Sequence, residues 1–102
     1  MAIVETRHIV VEPGVLGGKP HIAGRRIAVH DVAAWVAVHG MSPAEVARTW
    51  HLTLGEVYAA LSYYYDHQDA IDGEIEAAER RADEGAARQR LFEPPRSPAG
   101  QD

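Results

Sequence analysis

Histidine is the residue type that most invites a chemical reading of this sequence, with six in 102 residues. A metal site needs imidazoles, thiolates or carboxylates at spacings that bring them to one point, such as His-Glu-x-x-His on a helix. No such spacing is present. His30, His39, His51 and His67 fall near predicted helix ends instead. There an imidazole can hydrogen-bond terminal carbonyls and, for His39, meet the negative end of the helix dipole. Cysteine is absent, which removes thiolate chemistry and any disulfide framework. The hydroxyls best placed to act as nucleophiles, Ser42 and Thr53, stand at helix starts and are committed to capping. Gly14-x-x-Gly17-Gly18-Lys19 has the flavour of a phosphate loop. The nucleotide-binding pattern needs Ser or Thr after the lysine, and here Pro20 follows it. Neither metal, nucleotide nor other cofactor is expected, and the chain reads as a binding protein rather than an enzyme.

The chemistry that remains is recognition. Lys19, Arg25, Arg26 and Arg48 are candidates for contact with DNA phosphates, with Arg7 a further cation near the start. Arg80, Arg81, Arg88 and Arg90, with Leu91 and Phe92 as apolar anchors, are candidates for a protein partner. Trp35, Tyr63 and Tyr65 are candidates for a homodimer interface, where such rings are enriched. The net charge of −5 is unevenly placed. Residues 1–60 balance Arg7, Lys19, Arg25, Arg26 and Arg48 against Glu5, Glu12, Asp31, Glu45 and Glu56, so the whole deficit lies in residues 61–102. A neutral head and an acidic tail suggest two jobs on one chain.

The elements that must position these residues can be read from local signals. His8–Glu12 is β-branched and stopped by Pro13-Gly14, the pattern of a strand. Ile22–Ile27 reads as a β-turn between short extended pieces, a hairpin too small to stand without helices beneath it. Residues 30–39 read as helix one, started near His30 or Asp31 and ended by Gly40. Ser42-Pro43-Ala44-Glu45 is a capping box with Pro at the first helical position, and Met41 and Val46 stand at the positions of a hydrophobic staple. Thr53-Leu54-Gly55-Glu56 repeats the box, with Leu52 and Val57 as a second staple. Helix two over 43–50 and helix three from 54, joined by His51-Leu52-Thr53, make a helix-turn-helix over residues 42–66. Val46, Ala47, Trp50, Val57, Ala60, Leu61 and Tyr64 should face its core.

A long helix is predicted over 67–91, with a thin stripe of Ile71, Ile75, Ala78 and Ala82. Glu76 to Arg80 and Glu84 to Arg88 are i,i+4 pairs in the favourable orientation. So thin a stripe should bury little against its own domain. The domain expectation is a hairpin plus helix-turn-helix over 1–66, a helical arm over 67–92 and a disordered tail over 93–102. The fold class expected is mainly α, with a small N-terminal β-hairpin, the helix-turn-helix and a long C-terminal helix. No apolar run has the length of a signal peptide or a membrane span, so a soluble cytoplasmic chain without membrane contact is expected.

Gly18-Lys19-Pro20-x-Ile22-x-Gly24-x-Arg26-Ile27-x-Val29 resembles the opening signature of the domain-of-unknown-function family 433. The pattern from Asp31 through Gly40-Met41-Ser42-Pro43 and Leu52-Thr53-Leu54 to Tyr63 resembles the rest of that domain, and the likeness spans residues 8–67. His21 and Arg25 depart from it, standing where the family more often has a small or apolar residue and a threonine. The resemblance implies a winged-helix-like fold. It also implies an antitoxin-like partner of a PIN-like nuclease toxin, a class of metal-dependent RNase.

These readings converge on an antitoxin-like protein that binds and neutralises a PIN-like nuclease through the arm. Its acidic face would cover a basic RNA-binding surface, or an arginine of the arm would enter an acidic metal site. The expectation is that deleting 67–102 leaves a folded domain and abolishes inhibition. The alternative is a DNA-binding regulator, acting on operator DNA of its own operon. Helix three carries no Lys, Arg, Asn or Gln, so such contact would fall to the hairpin.

Overall fold

The computed structural model describes residues 3–4 and 7–92, with side chains from 7 to 85. The tail over 93–102 and the side chains of Arg88, Arg90, Leu91 and Phe92 lie outside the described residues. Three short runs of β-branched and apolar residues pair antiparallel: β1 (Ile3–Val4), β2 (Ile9–Val11) and β3 (His21–Ile22), in the order β1-β2-β3. Ile9 faces Ile22 across the ladder, and both are fully buried. The Ile22–Ile27 turn forms as expected. Arg25 N–H donates to the Ile22 carbonyl (3.0 Å) and Gly24 takes φ +76°, a value that favours glycine at the third position of such a turn. A bridge between His21 and Ala28 closes this hairpin. The pairing of β1 onto β2 was not expected.

Helix one begins at Val29, where the Asp31 carboxylate accepts the Ala28 N–H (3.0 Å). It runs as α1 (Val29–Ala33) and then widens into a π turn over Ala34–Val38, with His39 N–H donating to the Ala34 carbonyl. The chain then passes through Gly40 at φ +75°, as the sequence asked. His39, expected at the end of helix one, caps it and is exposed.

Both capping boxes are present. α2 (Pro43–Trp50) starts where Ser42 Oγ accepts from Glu45 N–H (3.1 Å) and Ser42 N–H donates to Glu45 Oε1 (2.9 Å). These bonds, the backbone one foremost, hold the Glu45 carboxyl below its ordinary range. α3 (Leu54–Asp66) starts with the same exchange between Thr53 and Glu56. Between the helices His51 is left-handed at φ 57°, ψ 46°, which turns the chain and drops Leu52 into the core. The core is the one predicted: Val46, Val57, Ala60, Leu61 and Tyr64 are buried, with Ala47 and Trp50 packed at its edge. The fold is mainly helical, a helix-turn-helix with a small N-terminal antiparallel sheet and a long C-terminal helix.

α4 (Gln68–Phe92) follows after a single non-helical residue, His67. Its first two turns correct the expectation of a weakly docked arm. Ile71 and Ile75 are in the core, 1% and 5% exposed, on a face that packs against α1 and α3. The stripe is thin, but its two large side chains fall where α1 and α3 leave a hollow. Ala77 and Ala78 are half-buried and residues 79–85 are exposed.

Candidate interaction surfaces

The hairpin tip carries the cations. Arg25 and Arg26 follow Gly24 directly and are exposed, so the turn displays two consecutive arginines. Lys19 lies at the other end of β3. It is half-buried, and its Nζ is folded to within 3.7 Å of where a Cβ on Gly17 would stand. His21 explains part of this geometry. It is 3% exposed, and its Nδ1 meets the Lys19 carbonyl at 3.1 Å, which fixes the strand entry. Arg48 is exposed on α2, an element that packs on α3 and the π turn.

α3 shows an outward side without a cation. Leu54, Tyr58 and Tyr65 are each half or more exposed and fall on one side of the helix, with Ser62 exposed nearby. Tyr65 is therefore available as expected, its ring tilted against Tyr64. Trp35 and Tyr63 are less available. The Trp35 ring stacks on Trp50 at 3.5 Å between centroids and 9° between planes, joining the π turn to α2. Tyr63 is half-buried and stacks on His67 at 4.0 Å. Both rings use a face internally, because the sequence placed a second flat side chain within reach.

The arm has a fixed root and a projecting remainder. At the root, Tyr64 Oη donates to Asp72 Oδ1 at 2.8 Å. That bond first, and burial second, push the Tyr64 phenol above its ordinary range. His67 caps α3 by donating its N–H to the Tyr63 and Tyr64 carbonyls, with its Nδ1 3.0 Å from the former. His30 of α1 meets Glu74 of α4 at 3.4 Å and its own neighbour Asp31 at 3.5 Å. Of these root contacts, His30 with Glu74 joins residues far apart in sequence, and no local spacing announces it. Beyond the root, Arg80 and Arg81 are exposed beside Glu79, Asp83 and Glu84. The expected Glu76–Arg80 pair does not close to 4 Å. The ion-pair contacts at the root are those of His30 with Asp31 and Glu74. Two long, solvated side chains gain too little from each other in water to be held in one geometry. From Glu79 onward the helix extends about 20 Å at 1.5 Å per residue.

Among the described residues no three histidines, cysteines or carboxylates converge to hold a metal ion, and no helix is long and apolar enough to cross a membrane. What the fold defines is a small helix-turn-helix domain that displays a basic turn at one place and a charged helix at another. Residues 9–64 match the profile of a family described as a protein of unknown function, DUF433, and the chain belongs to that family. No curated protein and no solved structure matches it.

Proposed function

We propose that this chain is an antitoxin-like binding protein that neutralises a PIN-like nuclease through the projecting part of α4. The observation that carries this reading is the arm itself. Past Ala78 every described side chain is exposed, so the helix leaves the core and keeps a charged surface with no intramolecular partner. The excess of carboxylates lies at the root of the helix, at Asp69, Asp72, Glu74 and Glu76, and suits a nuclease surface built to bind RNA, while the projecting part mixes Glu79, Asp83 and Glu84 with arginines. Its arginines suit an acidic cation site, where a guanidinium can pair with carboxylates two at a time. The reading places the protein in the cytoplasm as a non-enzymatic homodimer, with Leu54, Tyr58 and Tyr65 as the exposed apolar surface for self-association. The test is inhibition of a nuclease encoded in a neighbouring reading frame, using the full chain and a chain ending at Ala78. Loss of inhibition by the shorter, still folded chain supports the reading. Full inhibition by it overturns it.

A DNA-binding regulator is the second reading, favoured by the paired exposure of Arg25 and Arg26 at the hairpin tip. The cation-free outward side of α3 argues against ordinary recognition-helix contact. A gel shift with the upstream DNA at physiological salt decides it. Binding that Arg25→Ala plus Arg26→Ala abolishes supports this reading, and no shift at any upstream fragment removes it.

A further inference from the structure

His30 is the second residue of α1, and its side chain is 12% exposed. The ring lies between two carboxylates. Nε2 is 3.5 Å from Asp31 Oδ1 and Nδ1 is 3.4 Å from Glu74 Oε1. Asp31 cannot easily turn away, because its Oδ2 accepts the Ala28 N–H at the start of α1. Among the described residues, His30 Nδ1 and Glu74 Oε1 are buried polar atoms without a hydrogen-bond partner, and they face one another. α3 also packs on α1 but brings no charged side chain within 4 Å of the ring, and the Tyr64 hydroxyl at this junction is given to Asp72.

A carboxylate only accepts hydrogen bonds, and a neutral imidazole carries one N–H. A neutral His30 can therefore serve one carboxylate, while its other nitrogen turns a lone pair toward an oxygen. The protonated ring donates from both nitrogens and can serve both. The two states of one ring thus differ in whether α1 can be joined to α4 without giving up the contact to Asp31. Glu74 stands beside Ile75 and three residues from Ile71, the two side chains that seat α4 in the core.

We propose that His30 is a proton-operated latch on the root of α4, closed onto Glu74 when the ring is protonated and open when it is neutral. Seating of α4 tightens as pH falls and loosens as pH rises, because only the protonated ring donates to both carboxylates. The Tyr64–Asp72 bond does not involve the imidazole, so the latch modulates the root without releasing it. The device belongs to the free chain and holds whatever the arm binds.

Amide hydrogen exchange on the full chain tests it without any nuclease. Protection factors, which remove the intrinsic base dependence of exchange, are read for Ile71 and Ile75 from about pH 5.5 to about pH 8. The expected result is a severalfold fall in protection with rising pH, in step with the titration of the His30 ring nitrogens followed by NMR. His30→Gln cannot titrate, and in Glu74→Gln the amide can pair with either ring state. Both variants should give a flat profile. Glu74 is the more exposed of the two, so its variant carries the test if His30→Gln does not fold. His67, the other imidazole at the root, is the control, and His67→Gln should keep the slope. A wild-type profile without slope, a slope that survives in Glu74→Gln, or one that disappears only in His67→Gln overturns the proposal.

Discussion

His51 holds a conformation that glycine adopts without penalty. Its φ of 57° and ψ of 46° lie in the left-handed region, where a Cβ crowds the following carbonyl at a cost of about 1–2 kcal/mol. The side chain is exposed, and only backbone N–H groups, its own and that of Leu52, reach back to the Ala47 carbonyl. His51→Gly keeps those bonds and removes the crowding, against about 0.5–1 kcal/mol of extra chain entropy in glycine. The net expectation is a gain of roughly 0.5–1 kcal/mol in unfolding free energy, read by urea titration. Tyr64 gives the opposite case, a side chain whose oxygen matters. Its hydrogen bond to Asp72 and its burial raise the phenol's pKa in the folded state, so folding favours the neutral ring. That contribution is complete below the ordinary value of about 10 and is lost as pH rises through the higher folded value. Tyr64→Phe should cost about 1–2 kcal/mol near neutral pH, since the acceptor is a carboxylate. The penalty should shrink in titrations carried to pH above about 10.

The elements that local chemistry specifies were legible. Ser42 with Glu45, and Thr53 with Glu56, are spaced so that each box closes within four residues, and both helices start where the boxes put them. Thr53→Ala removes the acceptor for the Glu56 N–H at the start of α3, and a loss of about 1 kcal/mol in thermal or denaturant unfolding checks its weight. Gly40 was legible for the same reason, since a positive φ is a property of one residue. What was not legible depends on distant partners. The pairing of Ile3 with Val11 needs a ladder, not a pattern. The π turn at Ala34–Val38 carries Trp35 onto Trp50 in a helix fifteen residues away, and nothing local distinguishes it from an α turn. His30 and Glu74 lie forty-four residues apart and meet only once α4 is seated. At the interaction surfaces, exposure of Arg25, Arg26 and Tyr65 followed from turn and helix geometry, whereas the partial covering of Trp35 and Tyr63 by neighbouring rings did not.

At the scale of the whole molecule, the boundary between folded domain and arm moves. A division at residue 66 treats α4 as an appendage, yet Ile71 and Ile75 belong to the same core cluster as Val32, Val57 and Tyr64. Emptying a buried isoleucine site to alanine costs about 2–5 kcal/mol, and a chain cut before residue 67 empties two such sites and the Tyr64–Asp72 bond. A small domain has about 5–15 kcal/mol in total, so that cut removes most or all of it. Ending the chain at Ala78 leaves both isoleucines, Asp72 and Glu74 in place and discards only exposed helix among the described side chains. The expected outcome is a chain of residues 1–78 that unfolds cooperatively with nearly the full-length midpoint, beside a chain of residues 1–66 that shows no cooperative transition. Circular dichroism melts of the two decide the point. A stable 1–66 chain would mean that α4 contributes little to the core. An unfolded 1–78 chain would mean that the projecting helix stabilises the domain that carries it, which its exposed side chains give no reason to expect.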